Sequence, residues 1–533
     1  MLIKIKNPFS ISRYSKIERL ERKFSRLVIP IIKKLPVDYQ INKKPWYLPK
    51  AIYVIGQTSD YKEKFSDKEW VNAKPSHLDL NLISISTSDY IPIEDIDKLE
   101  KGLHKLFKIY KPKLFDHDSS RIKDFCNEVS QNIHGGSWSL FGTISIGSNS
   151  KLSKFVESIE ISATHLSSSS IILGFNIRPS EKFIYNYKNI MEKNIGDETT
   201  LKPRFKNFFT FWNNKTIPGE SAKARMIEDL MLELKWQTLK EISKHINIHF
   251  TDNRIVTPSI EVYKISRDYC SSRRVLHDET FLRSIGLKDS YEHEMSVDGY
   301  WEIYGLNTRT IDSSIKVTCN SRLPQELGYG ELNFQIYYMM KDFSNILLPV
   351  LIMRNYTISL SKNIAKQQKE TFAWIRSSKP NYNKLIKIRY DLERNIQILK
   401  RFKNEIDEKD FTRFKHRIKK SIGDFEQVEQ SPLDKGWTEI TIENTEFWIN
   451  NTFNHTQNFS EIIDGTVRLL ELKTNNSLRK QTFRLTIFTV VLSLLATSFA
   501  GFSLYSTIDE DIQKDILLKV MEVKQIIIDF FIG

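Results

Sequence analysis

Three cysteines in 533 residues, Cys126, Cys270 and Cys319, are too few and too scattered for a disulfide framework or a zinc site, which agrees with a reducing compartment. Glycine (19) and proline (16) are sparse and no low-complexity tract appears, which excludes a largely disordered chain. The compact signatures of chemistry are missing as well. There is no Walker-type phosphate loop, no G-x-S-x-G elbow, no H-E-x-x-H and no paired C-x-x-C. Gly135 with Gly136, and Gly328 with Gly330, lack the length of a dinucleotide fingerprint and read as turns. The opening MLIKIKNPFSISRYSKIERLERKF has basic residues but no continuous apolar core, so no secretory signal is expected there.

Positive charge is not scarce. The 79 basic against 65 acidic residues give +14, which favours anionic partners, an acidic lipid surface first and nucleic acid second. The most informative stretch is Leu485 to Tyr505, LTIFTVVLSLLATSFAGFSLY. It is uncharged and about as long as a helix needs to cross a bilayer. Arg479, Lys480 and Arg484 precede it and Asp509, Glu510 and Asp511 follow it, so the positive-inside rule expects a large cytoplasmic N-terminal body and a single pass through an inner or plasma membrane. A buried core helix is the alternative, but such helices are usually shorter and carry a polar stripe.

The expected fold is an α+β or mixed α/β cytoplasmic body over 1–330, a helical stalk over 331–484, one C-terminal transmembrane helix over 485–505 and an amphipathic tail over 506–533. Strands are predicted at Ala51–Ile55, Leu78–Ile85, Trp138–Ile146, Val156–Ala163, Ile171–Ile177, Ser259–Ile265, Tyr300–Tyr304 and Ile315–Cys319, with HLSSSS as a hairpin tip. Helical spacing marks Ile93–Ile109 and about Glu220–Ile246. From Leu332 onward helices dominate, with breaks expected at Pro349 and Pro380, and a final helix is expected from about Ser460 into the membrane. Leu385, Leu392 and Leu399 repeat every seven residues with Asn395 at an interior position. Such a short heptad seam serves either a coiled coil between copies or an intramolecular hairpin.

Candidate chemistry is thin. His245 and His249, with Glu241 one turn earlier, would share one face of a continuous helix and could ligate a metal, although Ile246–Ile248 suggests that the helix ends first. Asp116–Asp118 and His277–Glu279 read as solvated loops. Glu261 and Lys264 suggest a nuclease strand, but alternation puts them on opposite faces. RFKNFFTFW, ending at Trp212, interleaves aromatics with cations as in base-stacking sites, or else marks a buried aromatic cluster. FTRFKHRIKK from Phe411 reads as an amphipathic basic helix.

The segment Thr466–Tyr505 resembles the end of a CorA-type divalent-cation channel, with Leu485, Thr486 and Ile487 matching the start of that family's first span and Ala500 and Gly501 a later pair. The family's Gly-Met-Asn is replaced by Phe502, Ser503 and Leu504, and no second span follows. Divergent relatives act as membrane effectors of type III CRISPR defence, and that branch suits a chain with a different body and no Gly-Met-Asn. The resemblance implies an oligomeric membrane protein whose body senses a nucleotide messenger. A membrane-tethered, metal-dependent enzyme acting on nucleic acid or nucleotide, and a tail-anchored scaffold, are the alternatives. No cofactor is indicated by the residues.

Overall fold

The computed structural model describes residues 72–74, 78–110, 119–130, 138–167, 170–195, 198–203, 212–266, 293–296, 298–304, 314–325, 330–376, 382–407, 425–427, 437–505, 515, 517–522 and 524–525. The strand expected at Ala51–Ile55, the aromatic run 204–211, the loops at 116–118 and 277–279, Cys270, the break at Pro380, the basic stretch 411–420 and most of the tail lie outside them.

A nine-stranded sheet organises the body. Its strands are β1 (Asp79–Pro92), β2 (Trp138–Ser145), β3 (Val156–Ser167), β4 (Ser170–Pro179), β7 (Ser259–Ser266), β8 (His293–Ser296), β9 (Trp301–Tyr304), β10 (Ser314–Asn320) and β11 (Phe425–Gln427), in the order β11-β8-β9-β10-β7-β1-β4-β3-β2. A separate hairpin joins β5 (Glu198–Pro203) and β6 (Trp212–Ile217). Every neighbouring pair in the large sheet is antiparallel except β7 with β10. The HLSSSS segment is indeed a hairpin tip, with Ser167 opposite Ser170. β1 is longer than its sequence pattern suggested and nearly continuously buried, as expected of a central strand covered on both faces.

Alternation sends the side chains of each strand to two different cores. Tyr263 and Ile265 pack with Leu103, Phe175 and Leu234 against helices α1 (Ile96–Ile109), α2 (Ser119–Ser130), α3 (Glu181–Glu192) and α4 (Gly219–Ile242). Close packing on this side leaves no room at Gly102 of α1, where a Cβ would collide with the His245 carbonyl. On the opposite face Ile260, Val262 and Val317 pack against Ile336, Met340 and Phe343, which belong to helix α6 (Leu332–Arg376). A one-turn helix, α5 (His249–Asp252), precedes β7.

Pro349 does not break α6, contrary to the expectation from sequence; the helix runs for 45 residues with that proline inside it. A proline in a helix interior costs about 3 kcal/mol. Leu347, Leu348, Val350 and Leu351 around it are at most 2 % exposed, and each fully buried aliphatic side chain contributes roughly 1.5–3 kcal/mol, so burial outweighs the lost backbone bond.

Two further long helices follow among the described residues, α7 (Tyr382–Asp407) and α8 (Trp437–Tyr505). The latter begins well before Ser460 and spans 69 residues, roughly 100 Å. Its early part escaped sequence reading because its packed face is partly polar: Thr441, Thr445, Thr452 and Thr456 are buried alongside Ile442 and Ile449, and the hydroxyls of Thr445 and Thr456 are satisfied by the carbonyls four residues back.

The chain divides into two compact units, residues 1–370 with 395–456, and residues 371–394 with 457–533. In the first, Tyr90, Phe250, Tyr356, Phe402 and Ile449 form a third core. In the second, the rings of Phe372 and Phe459 meet at 6.0 Å and Arg389 pairs with Asp464 at 2.7 Å. The heptad leucines are occupied inside the single chain. Leu385, Leu392 and Leu399 are fully buried while Asn395 is half-exposed, so intramolecular packing fills the seam.

Candidate functional site

Among the described residues two helices are long and apolar enough to cross a membrane, and they differ in burial. The apolar window of Leu332–Ala373 is 72 % buried in the protein, whereas that of Thr441–Ser498 is 0 % buried. The first is a core helix. Along α8 every residue from Glu471 to Ser498 is exposed, including Leu485 (65 %), Phe488 (62 %) and Leu494 (63 %). The helix continues through Gly501 to Tyr505.

Four hydroxyls in this stretch need no external partner. Thr486 and Thr489 donate to the carbonyls of Thr482 and Leu485, and Thr497 and Ser498 to those of Ser493 and Leu494, at 2.7–2.9 Å. These four hydroxyls are thereby satisfied within their own helix, as lying in hydrocarbon requires. Arg479, Lys480 and Arg484 stand exposed on the preceding turns.

Within the body the polar side chains collect in chains of hydrogen bonds. Lys235 of α4 donates from Nζ to Ser259 Oγ at 2.9 Å, Ser259 to Ser314 Oγ at 3.3 Å, and Ser314 to Glu261 Oε1 at 2.7 Å, while Tyr263 donates to Glu261 Oε2 at 2.8 Å. Lys235, Ser259, Glu261 and Tyr263 are at most 3 % exposed, and Ser314 is the half-buried member. Burial, then the charge of Glu261, holds the Tyr263 hydroxyl well above its usual range, so it remains a donor. The parallel pairing of β7 and β10 places Ser314 opposite Ser259. Chemically, Ser314 presents a hydroxyl polarised by a carboxylate, the arrangement that activates a nucleophile. Lys264, expected on the face opposite Glu261, is only half-buried while Glu261 is buried, and it takes no part.

On the other face of the sheet Lys341 of α6 donates to Glu160 of β3 at 2.8 Å, with both side chains 7 % exposed. The Trp138 and Tyr338 rings lie 5.7 and 5.4 Å from the ammonium. Asn176 donates to the same Glu160 oxygen at 3.5 Å.

His245 and His249 do not share a helix. α4 ends at Ile242, His245 lies in the following turn, and His249 opens α5 among the rings of Tyr90, Phe250 and Tyr356. Glu241 instead binds Lys244 at 2.6 Å and Tyr110 at 3.0 Å. Among the described residues no group of three potential metal ligands occurs. The neighbouring Asp89 fixes α5: its carboxylate accepts from the amides of Tyr90, Phe250 and Thr251 and from the Thr251 hydroxyl at 2.7–3.0 Å. Burial nevertheless outweighs these donors and raises its pKa to about 7. Nothing in the sequence marked Asp89, since Phe250 and Thr251, which bind it, lie 161 and 162 positions away.

No family model, curated protein or solved structure matches the chain. The resemblance to CorA-type proteins therefore rests on the residues of 466–505 themselves.

Proposed function

We propose that the chain is a membrane-anchored oligomeric effector, held by a single pass at Leu485–Tyr505, with its body on the cytoplasmic side of an inner or plasma membrane. The observation that carries this reading is the apolar part of α8 up to Ser498, exposed on all sides and continuous with a helix whose earlier turns are packed. An apolar surface of this size and length needs lipid or other copies around it. The basic residues ahead of it set the orientation.

One span cannot enclose a pore, so altered membrane permeability requires several copies. In this reading a ligand bound by the body favours one arrangement of it and biases the packing of the spans. A nucleotide messenger is the ligand class, supported by the resemblance at 466–505. The test is dye release from vesicles carrying the purified full chain, with and without candidate cyclic oligonucleotides. Ligand-dependent release, lost on truncation after Lys480, is expected. A protein that stays monomeric in mild detergent with every candidate refutes the pore.

A second reading, a membrane-tethered enzyme, is favoured by the chain from Lys235 to Glu261. It expects a serine-directed phosphonate probe to label Ser314, and Ser314→Ala to abolish the labelling in the soluble truncated body. An unlabelled protein removes this reading.

A further inference from the structure

We infer that the last turns of α8 before Leu485 dock on anionic phospholipid headgroups, through Arg479, Lys480 and Arg484. This rests on the proposed span beginning at Leu485. All three side chains are exposed, and the nearest carboxylate along the helix is Glu471, two turns further back. Elsewhere on the same helix Asp464 is engaged by Arg389 at 2.7 Å, so its charge is already answered. The three cations are left with no fixed counter-charge in the helix that carries them.

Geometry limits which cations take part. With a rise of about 1.5 Å per residue, Arg484 lies about 2 Å, Lys480 about 8 Å and Arg479 about 9 Å from Leu485, where the proposed span begins, while Lys473 lies about 18 Å and Arg468 about 26 Å away. Ionic screening at physiological salt extends over about 8 Å. The near three fall in the headgroup layer or within one screening length of it. Lys473 and Arg468 fall outside, unless α8 lies flat on the surface, in which case all five count.

A basic residue at an anionic surface strengthens binding roughly fivefold, so three give about a hundredfold. The experiment floats the full-length chain with vesicles of phosphatidylcholine alone or mixed with phosphatidylglycerol, at low and high salt. Expected is roughly hundredfold tighter association with the anionic vesicles, falling with salt. R479Q/K480Q/R484Q should bring it close to the neutral-vesicle value and leave carbonate-resistant insertion into phosphatidylcholine intact, while R468Q/K473Q should change it by less than twofold. Equal association with both vesicle types, or equal losses in the two variants, overturns the inference while the span stands. Failure to insert into either vesicle removes the span and the inference together. Inorganic phosphate should compete no better than chloride at matched ionic strength; specific competition would assign the three residues to a free anion and overturn lipid docking.

Discussion

Replacing Leu495 by lysine separates the two apolar helices by experiment. Leu495 sits midway along Leu485–Tyr505 and is 50 % exposed, so the folded protein loses no packed contact when it is changed. In a bilayer the same position is the helix centre, where a lysine costs about 3 kcal/mol relative to leucine, roughly a hundredfold in the insertion equilibrium. Leu351 of α6 is 0 % exposed, and Leu351→Ala should cost about 2–5 kcal/mol of folding stability through lost burial and a cavity. The two variants therefore act on different quantities. Synthesis in the presence of membranes followed by carbonate extraction reads insertion, and thermal unfolding in detergent reads the body. Leu495→Lys should lower the carbonate-resistant fraction with an unchanged Tm, and Leu351→Ala should do the reverse. If Leu495→Lys unfolds the body as Leu351→Ala does, the exposed end of α8 is packed on protein and the reasoning fails.

Two further expectations concern the body. Asp89 has a folded pKa of about 7 against 3.8 for the free residue, so between those values the native state binds more protons than the unfolded chain. Stability should fall as pH rises from about 4 to about 7 and level off above, by roughly 4 kcal/mol at most. Urea melts across that range should show the slope in the wild type and not in Asp89→Asn, and a rising stability would refute it. At the Glu160–Lys341 pair, Lys341→Met alone strands a buried carboxylate and should cost about 3–5 kcal/mol, while combining it with Glu160→Gln should recover most of the loss; two additive losses would show that the charges do not interact.

The body was legible where local periodicity decides structure. The strands β1, β2, β3, β4, β7, β9 and β10, the α1 stripe of Leu99, Leu103 and Leu106, and the opposite faces of Glu261 and Lys264 all follow from spacing alone, whereas β8 and the β5–β6 hairpin carry too little alternation to be read. Tertiary context overrode local signals at Pro349, where neighbouring leucines hold the helix. The same was true at Thr441–Thr456, where hydroxyls bonded to their own backbone occupy packed positions that usually take apolar residues. The polar chain was invisible because Ser314 and Glu261 lie 53 positions apart and meet only through strand pairing. His245 and His249 misled in the opposite way, since equal spacing implies one face only while the helix lasts, and α4 ends before both.

The pairing of the central strand has a consequence for synthesis. β1 is flanked by β4 and β7, and its first residue meets a partner 187 positions later in the chain. At roughly 5–20 residues per second the ribosome needs about 10–40 s to deliver that partner. Over that interval β1 has one unpaired edge and apolar side chains on both faces, the condition under which strands recruit neighbouring chains. Until β7 emerges, that edge is open to pairing with a neighbouring nascent chain.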